Sequence, residues 1–196
     1  MRIFLNASSD LKEKRPAAFL DRDGTINRNR HGEYITRPDQ FELYSCALPA
    51  LRLISQKGYR IIVLSNHSGI GRGYRTQETA KEINLMLARQ MEKAGIELSG
   101  IYICPHLPDA GCECRKPKTG LLYEALRDIN ADMAHSFIAG DSSGDMRLAA
   151  AAGLPGYLVL TGAGRITAAK MPEAKKYGTL LSLAKALPQI NSKISN

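Results

Sequence analysis

From residue 17 onward the chain alternates two hydrophobic patterns. Short, mainly apolar runs occur at 17–20, 59–64, 101–103, 136–139 and 157–160. Their length and β-branched content predict buried strands of a parallel sheet. Between them, at 47–57, 78–93, 121–129, 145–152 and 180–187, apolar residues return every three or four positions, as in Leu48, Leu51 and Ile54 or Ile83, Leu87 and Met91. That spacing predicts amphipathic helices. Strict strand–helix alternation gives an α/β fold, a parallel sheet with helices on both faces, as one domain over 17–190. Residues 1–16, rich in Lys, Glu and Ser, read as a peripheral lead-in, and 27–40 as a long polar loop carrying Arg28, His31 and Arg37.

The chain has 196 residues, enough for one domain with a full core and too few for two of ordinary size. Its net charge of +8 favours anionic partners. No basic block is concentrated enough to mark a nucleic-acid surface, and with no Trp and few aromatics there is no stacking platform for single strands. No apolar run approaches a membrane span, and the first residues turn polar too early for a secretory signal, so a soluble, cytoplasmic protein is expected; the sequence does not give its oligomeric state, and a monomer is favoured.

The strand ends carry the chemistry. In an open α/β sheet the ligand crevice lies outside the carboxyl ends of the strands. The first run breaks there into Asp21-Arg22-Asp23-Gly24-Thr25. Residues two apart in extended chain share a side, so Asp21 and Asp23 face one pocket, and Gly24 permits a sharp turn. Two carboxylates in one small site call for a divalent cation or for one of them to be protonated; both suit phosphoryl transfer, with one acid attacking phosphorus and the other handling the leaving-group proton. A calcium-loop reading fails because its glycine and terminal glutamate do not fall at the required offsets. The second strand ends in Ser65-Asn66, then His67-Ser68-Gly69-Ile70-Gly71-Arg72-Gly73, a hydroxyl and turn fit to cradle phosphate, with His67 in reach of substrate. The fourth ends in Gly140-Asp141-Ser142-Ser143-Gly144-Asp145. Asp141 would complete a magnesium site with Asp21, while Asp145 and the isolated Cys46 have no assigned role. This stretch also matches the serine-hydrolase elbow, but all four histidines precede Ser142, so chain order excludes a triad.

Cys104-Pro105-His106 is followed by Cys112-Glu113-Cys114. Three thiolates and an imidazole at this spacing make a closed, structural zinc site. The loop it pins presents Arg115 and Lys116, two placed cations able to stabilise a transferring phosphoryl group.

Taken together, Asp-x-Asp-Gly-Thr at Asp21, Ser65, Lys116 and Gly-Asp-x-x-x-Asp at Asp141 resemble the four motifs of the haloacid dehalogenase superfamily, and the inserted cysteine loop resembles its zinc-loop branch. The resemblance spans about Phe19 to Leu160. It implies a Rossmann-like core without a large cap domain. By position it makes Asp21 the nucleophile of an aspartyl-phosphate mechanism and Asp23 the acid that then activates water. Mg²⁺ would be held by Asp21, the Asp23 carbonyl and Asp141. Ser65 and Lys116 would hold the phosphoryl oxygens, and Asn66, Ser68 and Arg115 would seat the substrate. Within the branch, the loop at 68–73 resembles the phosphatases that remove the 7-phosphate of D-glycero-D-manno-heptose 1,7-bisphosphate. The short zinc loop resembles histidinol phosphatases. His67 stands where Gln is usual in this branch and Ser142 where Lys often stands. A sugar bisphosphate is the expected substrate and histidinol phosphate the alternative; a nucleic-acid 3′-phosphatase and a non-catalytic zinc module follow as rivals, the latter leaving the three aspartates unexplained.

Overall fold

The computed structural model describes residues 1–7, 9–29 and 33–190, so His31 lies outside the described residues. Seven strands form one sheet in the order β1-β4-β3-β2-β5-β6-β7. They are β1 (Arg2–Leu5), β2 (Ala17–Leu20), β3 (Arg60–Asn66), β4 (Gly100–Cys104), β5 (Phe137–Gly140), β6 (Gly156–Val159) and β7 (Lys175–Tyr177). All neighbours are parallel except β1, which runs antiparallel to β4.

The helices are α1 (Ala47–Gln56), α2 (Ser68–Gly71), α3 (Gln77–Lys93), α4 (Gly120–Asp128), α5 (Ser143–Ala152), α6 (Gly164–Lys170) and α7 (Leu180–Ala186). The period-two geometry of β2 divides its four buried residues between two cores. Ala18 and Leu20 pack with Leu51 of α1, Ile83 and Leu87 of α3 and Leu183 of α7. Ala17 and Phe19 pack with Leu121 and Ala125 of α4 and Leu148 of α5. Both faces of β2 are therefore dry, which is why its sequence is apolar without alternation.

Each expected strand and helix is present within two residues of its predicted bounds. Among the strands and α-helices of the described residues, four were not foreseen. Residues 2–5, read only as part of a lead-in, form the edge strand β1; the Met1 ammonium donates to the Ile103 carbonyl at 2.9 Å and ion-pairs with Glu124. At the opposite edge, β7 begins Lys175-Lys176, a polar sequence of the kind that blunts an exposed strand edge. The short helices α2 and α6 have too few turns to show a period.

The chain runs β2, β3, β4 outward on one side, then returns to place β5 on the other side of β2. The switch point falls between β2 and β5, so Asp21 and Asp141, just past the ends of these adjacent strands, open on one crevice.

Candidate active site

At the C-terminal end of β2 the sheet register continues one residue further, with the Asp21 N–H donating to the Ala139 carbonyl of β5 at 2.9 Å. This fixes the Asp21 backbone. Lys116, buried, reaches it from the cysteine loop. Its ammonium donates at 2.6 Å to Asp21 Oδ1, at 2.6 Å to Asp145 Oδ1 and at 2.6 Å to the Leu64 carbonyl. Those three acceptors match its three N–H donors. The pull of Asp145 and Asp21 outweighs the cost of burial and keeps Lys116 protonated, above its ordinary value.

Asp145 is held in turn. Its Oδ2 accepts from the Ser142 hydroxyl at 2.6 Å and the Ser142 N–H at 3.1 Å, while the Ser142 oxygen caps α5. Serine at the cap with an acid three residues on is a capping box, legible in Ser142-x-x-Asp145. Asn66, expected to seat substrate, lines the cavity and also clamps the Lys116 backbone: its Nδ2 donates to the Lys116 carbonyl and its Oδ1 accepts from the Lys116 N–H, both at 3.1 Å.

Asp23 has a different environment. Three donors converge on its Oδ1: Arg22 Nε at 3.0 Å, Arg22 Nη2 at 2.6 Å and Asn27 Nδ2 at 3.0 Å. The Arg22 side chain is fully buried, also donates to Asn84 Oδ1 at 3.0 Å and lies 5.6 Å from the centroid of the Phe41 ring. Burial alone would raise the Asp23 carboxyl, but the Arg22 guanidinium outweighs it and holds Asp23 below the usual carboxylate range. Asp23 Oδ2 faces the ring of His67, whose Nε2 is 4.0 Å away.

Asp21 and Asp141 are shifted the other way. Burial, with Asp145 adding repulsion and Lys116 partly offsetting it, pushes Asp21 up to about 6. Burial and the charges of Asp21 and Asp145 push Asp141 up to about 8. Carboxylate oxygens of Asp21, Asp141 and Asp145 lie within 4.8 Å of one another. Three buried acids with one lysine between them are short of positive charge, and the donor set is the all-oxygen one that magnesium takes. The backbone is cut to fit Asp141. A Cβ on Gly24 (φ 87°) or on Gly162 (φ 53°) would come 2.1 Å from its Oδ2. That oxygen accepts the Ala163 N–H at 2.7 Å.

These groups border a cavity of about 240 Å³ lined by Asp21, Asp23, Ser65, Arg115, Lys116 and Asp141 among others. Ser68 lies off it, 3.4 Å from the Tyr34 hydroxyl. Sequence reasoning had not singled out Arg22, Asn84 or the Arg75 that also borders the cavity. An arginine between two acids looks solvent-exposed in a sequence, and no periodicity marks it as buried.

The cysteine loop begins at the end of β4. Cys104 Sγ is 3.6 Å from His106 Nδ1 and 3.6 Å from Cys112 Sγ; Cys114 Sγ is 3.2 Å from His106 Nδ1 and 3.7 Å from Cys112 Sγ. Tetrahedral zinc with the usual bond lengths has edges of about 3.8 Å between sulfurs and about 3.5 Å between sulfur and nitrogen. The four residues fit that ion. Arg115 Nη1 donates to the His106 carbonyl at 3.4 Å, which turns it back over the loop.

A family model described as HAD-hydrolase-like matches residues 113–186. A protein of Thermoplasma acidophilum named probable D-glycero-D-manno-heptose-1,7-bisphosphate 7-phosphatase is 43% identical over 138 residues, covering 70% of this chain and 85% of that one. The D-glycero-beta-D-manno-heptose-1,7-bisphosphate 7-phosphatase of Yersinia pestis is 37% identical over 181 residues, 88% of this chain and 95% of its own. Among solved structures, the D,D-heptose 1,7-bisphosphate phosphatase of B. bronchiseptica, complexed with magnesium and phosphate, superposes with a TM-score of 0.80 at 32% identity, covering 87% of this chain and 97% of that one.

Proposed function

The chain belongs to the HAD-like hydrolase family, within its heptose-1,7-bisphosphate 7-phosphatase group, and from that premise we propose that it hydrolyses the 7-phosphate of D-glycero-D-manno-heptose 1,7-bisphosphate through an aspartyl-phosphate on Asp21. The observation that carries this reading is the convergence of Asp21, Asp23, Lys116 and Asp141 on one cavity at the sheet's switch point. One phosphatase domain takes in residues 17–190 together with the edge strand β1, monomeric and cytoplasmic.

Asp21 attacks phosphorus; the ester bond to the sugar oxygen breaks, and that oxygen takes a proton from Asp23. Asp23 then accepts a proton from the water that cleaves the acyl-phosphate, which returns Asp21 as a carboxylate. Lys116 keeps Asp21 ionised and in place, and a phosphoryl oxygen that takes one of its N–H groups replaces one of the three present acceptors. Ser65 faces the same phosphoryl group. With Arg22 holding Asp23 ionised at rest, the phosphate dianion arriving beside it raises its proton affinity, so Asp23 takes up the catalytic proton from solvent as the substrate binds. Mg²⁺ would be held by Asp21, Asp141 and the Asp23 carbonyl and would supply the positive charge that lets a dianionic ester approach three buried acids. Zinc on Cys104, His106, Cys112 and Cys114 would fix the loop that delivers Lys116 and Arg115.

Phosphate release with Mg²⁺ is measured on heptose 1,7-bisphosphate, histidinol phosphate and a DNA 3′-phosphate. The heptose ester is expected to exceed the others by at least about 100-fold in kcat/KM, roughly 3 kcal/mol of discrimination. Preference for histidinol phosphate, or equal rates on all three, contradicts the substrate assignment.

A further inference from the structure

His67 is a buried imidazole without a partner among the described residues. Its side chain is fully buried, and among those residues neither Nδ1 nor Nε2 has a hydrogen-bond partner. Orphaned buried nitrogens are costly and seldom retained without a use. The residue is held rigidly: its N–H donates to the Cys104 carbonyl at 2.7 Å, and its own carbonyl receives the Ile70 N–H at 3.0 Å as α2 begins. The residue therefore stands at a fixed place in the cavity lining, with Nε2 4.0 Å from Asp23 Oδ2.

The two oxygens of Asp23 are not equivalent. Oδ1 takes both Arg22 bonds and the Asn27 bond. An oxygen with three donors aimed at it is a poor place for a proton. Oδ2 remains to carry it, and Oδ2 is the oxygen that faces His67.

We propose that His67 is a positioning residue for the leaving-group step, its Nε2–H, 4.0 Å from Asp23 Oδ2 in the resting site, closing to donate to that oxygen as the substrate binds and so keeping it aimed at the ester oxygen. This rests on the role of Asp23 proposed above. Glutamine at this place would carry a side-chain N–H donor as well, so His67→Gln is the substitution that keeps a donor beside the acid.

The diagnostic is dependence on the leaving group. An alkyl phosphate needs a proton on its departing oxygen, whereas 4-nitrophenyl phosphate departs as a stable phenolate and gains little from an acid. Wild type, Asp23→Asn, His67→Leu, His67→Ala and His67→Gln are compared on heptose 1,7-bisphosphate, glycerol 3-phosphate and 4-nitrophenyl phosphate, with thermal melting to confirm folding. Asp23→Asn is expected to lose far more on the alkyl esters than on the nitrophenyl ester. His67→Leu or His67→Ala should lose about tenfold in kcat on the alkyl esters, with KM changed less than about twofold, and about threefold or less on the nitrophenyl ester. His67→Gln should recover most of that alkyl loss. Equal losses on both ester classes, or none on the alkyl esters while Asp23→Asn keeps its selectivity, would overturn the role of His67 alone. Failure of Asp23→Asn to discriminate would overturn the acid assignment and His67 with it. If wild type cleaves glycerol 3-phosphate but not the heptose ester, the substrate assignment fails while His67 is still decided on the glycerol ester.

Discussion

Lys116 commits every donor it has to Asp21, Asp145 and the Leu64 carbonyl. Removing the charge of Asp145 should therefore leave the ammonium less firmly held against Asp21. Asp145→Asn is expected to lower kcat by about tenfold or more without abolishing binding, because Asp145 acts through Lys116; a variant with wild-type kcat would show that Asp145 serves the helix cap alone. Arg22 makes a sharper case. It is fully buried, and its loss would leave Asp23 and Asn84 without their shared donor. Arg22→Leu is expected to cost about 3 kcal/mol in urea unfolding, in the range for breaking a buried pair from one side; a cost below about 1 kcal/mol would mean that Asp23 is held by other groups. Side-chain identity made Asp21, Asp23, Asp141 and the zinc ligands legible, because acids and thiols at strand ends have few other uses. Arg22 and Asn66 were not legible in the same way. What each does depends on which way a long side chain turns, and a sequence does not record direction.

The cysteine loop is an element with little core of its own, spanning the end of β4 to the start of α4. Its stability should come from the ion. Cys112→Ser is expected to reduce zinc content from about one per chain to well below half, and to lower phosphatase activity in parallel as Lys116 loses its anchor. Full zinc retention would show that the ligand set is wrong; zinc loss with full activity would show that Asn66 alone positions Lys116. On the other side of the crevice, Gly162 admits Asp141 where a side chain would strike its Oδ2. Gly162→Ala should weaken the Mg²⁺ requirement site, read as a rise of about tenfold or more in the Mg²⁺ concentration needed for half-maximal activity. The central strands and long helices could be read from hydrophobic period because both faces of the sheet are covered. At the edges that signal fails: β1 and β7 have only one neighbour each, and β7 carries lysines where a central strand carries valines and isoleucines.

Across the whole molecule, the buried acids couple folding to both protons and magnesium. Asp141 is raised to about 8 and Asp21 to about 6, above their values in an unfolded chain. Carboxyls with raised pKa favour the folded state while protonated, so the metal-free protein should lose stability as pH rises from about 4 through about 8. Magnesium relieves the same repulsion, and the gain in Tm on adding Mg²⁺ should grow between pH 5 and pH 8; a gain that is flat or shrinks would mean that the ion does not bind these acids. The net charge of +8 suits an anionic substrate, yet the site itself is an acidic cluster that needs a cation before a phosphate can enter. The central claim is that Asp21 breaks one particular ester bond, and phosphorus NMR of the products tests it most directly. With Mg²⁺ and heptose 1,7-bisphosphate, the wild type should yield inorganic phosphate and heptose 1-phosphate only, and Asp21→Asn, folded by its melting curve, should yield neither. Release of the 1-phosphate, or turnover that survives Asp21→Asn, would contradict it.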